Sequence, residues 1–157
     1  MDTDVKIRYF QNNLVTCGLG IITLGLWTNI KALLHFFTEF SQIIADTAKE
    51  TGLEEEIVLP VFIVVIALIV LIITIWHIQI GMSSIRVGRG RKKHHFYILS
   101  AMLLIALNMY DVFYLFDVTT EIPLDAVITT IILDTTLTLV LLDMIISHFA
   151  LLVLKKR

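Results

Sequence analysis

Between Val58 and Trp76 the chain runs for nineteen residues without a charged side chain. Three further apolar runs accompany it, and polar residues fall in short blocks between them. A water-soluble core needs polar residues for its own surface, and about 25% of a soluble domain is charged. Here 57% of the residues are hydrophobic, 17% are charged and the mean hydropathy is +0.88. Such a distribution belongs to a chain solvated by lipid. One domain, residues 1–157, accounts for the length.

The spans are expected at about 10–37, 57–82, 96–116 and 126–154. Each is near or above the ~20 residues that carry a helix across ~30 Å of hydrocarbon. Backbone groups in lipid must be satisfied within the protein, and runs of this length do so only as helices. The fold class is therefore all-α, a four-transmembrane-helix bundle.

Ten of the twelve Lys and Arg residues fall in three segments. Lys6 and Arg8 precede the first span. Arg86, Arg89, Arg91, Lys92 and Lys93 lie in the link expected at 83–95. Lys155, Lys156 and Arg157 close the chain. With four crossings these segments share one side, and the other side receives Lys49 among Glu39, Asp46, Glu50, Glu54, Glu55, Glu56, Asp117, Glu121 and Asp125. The positive-inside rule then gives a multi-pass protein of the cell membrane with both termini cytoplasmic. The run Arg86 to His95 reads first as this topology signal, ahead of an acidic-lipid or nucleic-acid site, and no nucleic-acid partner is expected. His94 and His95 are neighbours and point apart, so that pair does not make a metal site.

The outer segment 38–56 has helical spacing of its own. Phe37, Phe40, Ile44 and Ala48 form a stripe with Ile43 beside it, and Gly52 stands where a helix stops. The expectation is a helical extracytoplasmic extension of the first span, continuous or restarted after a kink. Glu54, Glu55 and Glu56 then suit the start of the second helix, where the dipole favours negative charge, and Pro60 falls in that helix's first turns. The third and fourth spans are joined by a short link, 117–125, around Thr119 to Pro123.

Cys17 is the single cysteine. It has no partner for a disulfide or CxxC centre, and reads as a small packed side chain. Leu14-Val15-Thr16-Cys17 loosely resembles a lipidation site, but the apolar stretch before it is short and the run continues past it, so the span reads as retained. Gly18 and Gly25, one heptad apart, and the Thr16–Gly20 pair read as close helix packing. Tyr9, Trp76, Tyr97, Tyr110 and Tyr114 are placed like an aromatic belt. Trp27 sits deeper and reads as a packing residue.

Ionisable groups within the spans are expensive and tend to face protein or water. The candidates are Lys31, His77, Asp111, Asp134 and Asp143, with His35 and His148 nearer the ends. At ~1.5 Å per residue, Lys31, Asp111 and Asp134 share one level about 10 Å below the outer face, with Asn108 one turn below Asp111. His77, Gln79, Asp143 and Ser147 are expected in a second, inner layer. Asp134 and Asp143 are nine residues apart, ~900° around a helix and so on opposite sides. Asp134, Thr138 and His148 fall on one stripe of the fourth helix, and Thr129, Thr136, Asp143 and Ser147 on the other. Either that helix is enclosed on both faces or one stripe meets another subunit, and the second alternative points to a homo-oligomer.

No catalytic motif, cofactor box or metal-ligand cluster is present in the sequence, and none is expected. The leading expectation is a small oligomeric transporter or channel subunit for a proton or cation. Its pathway residues would be Asp111, Asp134, Asp143, Lys31, His77 and Asn108, and its surroundings the lipid bilayer. The alternative is a non-catalytic scaffold, assembly factor or regulator of a larger membrane complex, since the same polar residues also join helices at ~0.6 kcal/mol each.

Overall fold

The computed structural model describes residues 3–52, 54–91, 95–118 and 124–155, and among them there is no strand. Four helices follow one another: α1 (Thr3–Thr51), α2 (Glu55–Gly88), α3 (Phe96–Val118) and α4 (Leu124–Lys155). All four contain stretches long and apolar enough to cross a membrane. The link expected around Thr119 to Pro123 lies outside the described residues.

α1 is one unbroken helix of 49 residues, about 74 Å at 1.5 Å per residue. No proline interrupts it. Its threonines turn their hydroxyls back on the helix: Thr16, Thr23, Thr28, Thr47 and Thr51 each donate to the carbonyl four residues earlier, at 2.7–3.2 Å. Each of these polar groups is thereby satisfied without a neighbour. The helix stops at Gly52, whose φ of +68° suits a residue without Cβ and whose N–H reaches the carbonyl of Ala48 at 2.9 Å.

α2 opens with Glu55 and Glu56 in its first turn and runs further than the sequence suggests. The segment expected as a loop from residue 83 is helical as far as Gly88. It then closes on Gly90, at φ +79°, with the N–H of Gly90 on Val87 O at 2.9 Å and that of Arg91 on Arg86 O at 3.0 Å. That is the Schellman pattern of a helix end.

α1 is the central element. It lies antiparallel to α2 on one side and to α4 on another; α4 carries α3, and α2 meets α3 only lightly. Glycines set the α1–α2 contact. A Cβ on Gly18 would lie 2.5 Å from the carbonyl oxygen of Gly81, and one on Gly81 would lie 2.5 Å from that of Gly18. Gly88 faces the carbonyl of Gln11 in the same way, and Gly25 accepts the imidazole of His77. Ser84 adds a buried hydrogen bond to Leu14 O at 2.7 Å. Gly18 and Gly25 thus pack as their heptad spacing implies. Gly20 faces α4 more loosely, with Val140 at 3.4 Å from a Cβ placed there.

The main core is aliphatic: Leu14, Ile21, Ile80, Leu137, Leu141 and Met144 are all fully buried. A smaller core holds the far end of the α1–α2 hairpin, where Ile44, Ala48 and Val58 pack with Phe40, Leu59 and Phe62. Phe40, Ile44 and Ala48 therefore turn inward as their stripe predicts, whereas Phe37 is exposed. Since Gly20 meets Val140, the first residue of α4, sixteen positions earlier, stands level with residue 36 of α1. Among the described residues, α1 has only α2 beside it beyond that level, and the hairpin extends about 22 Å further.

The outer surface is apolar. α2 shows Val61, Val64, Leu68, Ile72 and Ile75 outward along its length, a pattern that suits lipid contact. Tyr9, Tyr110 and Tyr114 are exposed near helix ends, as a belt requires, but Tyr97 is buried. Trp27 is 57% exposed and points outward, contrary to its reading as a packing residue.

The two glycine environments separate in a stability test. Gly81→Ala, which forces a Cβ onto a backbone oxygen, is expected to destabilise the fold by about 2 kcal/mol. Gly20→Ala, with ordinary contact to one methyl, is expected to change it little. Thermal melting in mild detergent compares them, and equal melting of the two variants would refute the tight contact.

Candidate functional site

The helix register fixes which polar side chains meet. Asn13 lies against Ser147, and Gly20 against Val140, so residue 23 of α1 is level with residue 137 of α4. Tyr97 bonds to His148, which puts Asn108 level with Leu137. Gly25 against His77 and Asn29 against Thr74 place His77 at the same height.

All four helices therefore contribute to one layer: Asn29 from α1, His77 from α2, Asn108 from α3, and Asp134 and Thr138 from α4. Each is more than nine-tenths buried. Asn29 donates through Nδ2 to the hydroxyl of Thr74 at 2.8 Å, and that hydroxyl donates onward to Val70 O at 2.7 Å. His77 Nδ1 donates to Ile73 O at 2.8 Å.

The acidic groups stand within this layer, level with His77. Asp134 is 5% exposed, and the register puts Asp111 level with it and Lys31 about 7 Å nearer Gly52. Helix counting thus brings Asp111 and Asp134 to one level, while Lys31 stands five residues further along α1. Asp134 is enclosed, while Asp111 lies at the exposed rim.

His77 departs from the expected arrangement. It joins Asn108 and Asp134, and has no part in an inner layer with Asp143. The reason lies in α2, which continues six residues past the end assumed for it and so raises His77 by about 9 Å. Gln79 is exposed. The side chain of His35 lies outside the described residues.

Asp143 has its own partners on α1. Its Oδ2 accepts from Asn13 Nδ2 at 2.9 Å and from the Cys17 thiol at 3.5 Å, and Asn13 also donates to Ser147 Oγ at 2.8 Å. Cys17 is buried, as expected, and is also a donor. Asn13 was not among the candidate site residues; its signal was the Asn12-Asn13 break in an apolar run.

A third cluster, also not singled out in the sequence, joins α3 to α4 near their basic ends. The Tyr97 hydroxyl lies 2.6 Å from His148 Nδ1, and His148 Nε2 lies 3.1 Å from His95 Nδ1. Of the two stripes of α4, the one with His148 turns toward α3, while on the other Ser147 is buried beside α1 and Asp143, bonded to Asn13, stays exposed with Thr129 and Thr136. Thr136 satisfies itself on Ile132 O at 2.6 Å.

Four apolar helices enclosing a layer of polar side chains define a multi-pass helical membrane protein. No family model, curated protein or solved structure matches this chain.

The Asn13 cluster yields a graded expectation. Asn13→Leu removes both donors and leaves Ser147 buried beside an apolar side chain, so it should destabilise the protein by about 1–2 kcal/mol. Asp143→Asn keeps an acceptor oxygen and should cost less. Reversing that order in detergent melting would show that the cluster does not join α1 to α4.

Proposed function

We propose that the protein moves protons or small cations across the membrane through the layer centred on Asp134. One observation carries this reading: the Asp134 carboxyl group is enclosed among four apolar helices, with Asp111 level with it on α3 and Lys31 about 7 Å further along α1. An ionisable group in such a place is costly, and joining helices is achieved more cheaply by neutral groups. Asp134 is the carrier, Asp111 at the rim is the point of entry, and Lys31 offsets the charge. Asn108 and His77 line the route on the side away from Asp111. Asp143, about 13 Å nearer the basic end, serves as a second station.

The membrane is the cell membrane, with the basic ends of the helices cytoplasmic, because three separate segments carry the positive charge. The working unit is a homo-oligomer. An exposed carboxylate within a span calls for cover, and Asp111 would find it against a second copy.

Reconstituted protein tests the reading directly. Asp134→Asn should abolish proton or cation flux into liposomes, and Asp143→Asn should slow it. Wild-type flux in the Asp134 variant would exclude the route. Native mass measurement should give a multiple of 17.9 kDa, shifted toward monomer by Asp111→Lys.

The projecting hairpin favours a second reading. Beyond residue 36, α1 carries Asp46, Lys49 and Glu50 while α2 presents Ile57, Val61 and Val64 outward. An apolar flank outside the four-helix section suits a membrane scaffold or assembly factor that docks a partner there. Val61→Glu with Val64→Glu would then release co-purified protein without lowering the melting temperature of the bundle; unchanged co-purification would count against docking.

A further inference from the structure

We propose that His77 and Asn108 together form a binding site for a water molecule, which makes the ion handled by the layer a proton and excludes a metal cation. The proposal deepens the transport reading and rests on it for what is carried.

The argument begins with the tautomer. A carbonyl oxygen only accepts, so the contact between His77 Nδ1 and Ile73 O at 2.8 Å puts the imidazole proton on Nδ1. Nε2 is then a bare acceptor. It is buried, and it has no hydrogen-bond partner among the described residues. The other orphan of this kind is Asn108 Nδ2, which is a donor. Buried polar atoms in folded proteins are paired as a rule, and an unpaired one calls for an explanation. Here the two orphans are complementary, one donor and one acceptor. By the register through Gly25 and through Tyr97–His148 they stand within one helical turn of the same height, on helices that touch.

The ligand must therefore accept from Asn108 and donate to His77. A metal ion donates nothing and seeks oxygen lone pairs on every side, whereas the amide N–H of Asn108 would repel it. An ammonium ion donates to His77 but leaves Asn108 unmet. Water, which both donates and accepts, satisfies both. The charged and titratable groups of the layer are Asp134 from α4, Asp111 from α3 and Lys31 from α1, with Asn29, Thr74 and Thr138 as neutral neighbours. Asp134 stands one helical turn from the level of Asn108. A proton leaving its carboxyl group breaks an O–H bond there and forms one on the water. The water gives up a different proton, which forms the N–H bond at Nε2. The result is a carboxylate and an imidazolium, with the water regenerated.

The test combines nitrogen NMR with flux. Protein labelled with 15N at histidine and reconstituted in lipid should show His77 Nε2 hydrogen-bonded and in magnetisation contact with water, and Asn108→Leu should remove that contact. A bare, water-free Nε2 in the wild type would overturn the site. In liposomes holding a pH-sensitive dye, His77→Phe and Asn108→Leu should each slow proton entry by at least about tenfold, with no sodium or potassium flux in any sample. Helical circular dichroism and melting confirm that the variants fold. Unchanged proton entry in His77→Phe, or metal-cation flux in the wild type, would refute the assignment. Water contact at His77 without any wild-type proton flux would defeat the transport reading and leave the site standing.

Discussion

The backbone contact between α1 and α2 determines the height of everything the second helix carries. Where Gly18 meets Gly81, each lacks the Cβ that would strike the other's carbonyl oxygen. Helices brought this close gain dispersion contacts along their length, which matters in lipid because burial of apolar surface offers no drive there. The same contact fixes the sliding register. Gly25 then falls opposite His77, and the imidazole is delivered to the level of Asn108 and Asp134. A helix pair with side chains at these positions would stand further apart and could slide, and the layer would lose one of its four walls.

The polar groups in the spans divide by how they are satisfied. Threonines of α1 and Thr136 of α4 bond their own helix and make no demand on the fold. Asn13, Asp143, Ser147 and Cys17 satisfy one another between α1 and α4. Tyr97, His148 and His95 do so between α3 and α4. The layer at Asp134 is different in kind, because it contains an enclosed carboxyl group and, among the described residues, two orphaned atoms. That contrast separates the parts that hold helices together from the part able to do chemistry.

Much of the architecture could be read from residue order. Gly52 stops α1 because a left-handed backbone admits glycine, and the stripe Phe40, Ile44, Ala48 faces α2 because 3.6-residue spacing puts it on one side. Counting 1.5 Å per residue was enough to bring Asp111 and Asp134 to one level, with Lys31 about 7 Å away. It failed for His77, since the count depends on where a helix ends, and nothing local marks Gly88 and not Met82 as the end of α2. Trp27 and Tyr97 were misassigned for a related reason. An aromatic side chain suits a core or a lipid-facing surface equally, and only the neighbours decide. For Tyr97 the deciding neighbour is His148, fifty-one residues away.

What the sequence determined alone is the solvent and the element type: long charge-free runs can satisfy their backbones in lipid only as helices, and the placement of Lys and Arg pairs the ends. What only the tertiary structure decided is which polar groups share a height and a partner. Periodicity gives the face on which a side chain sits, but the sliding and separation of two helices depend on contacts such as Gly18 with Gly81 that exist only once both are packed. The opposed stripes of α4 illustrate the difference. Their angle follows from the sequence, while the neighbour each meets, α3 for one and α1 for the other, follows from the fold.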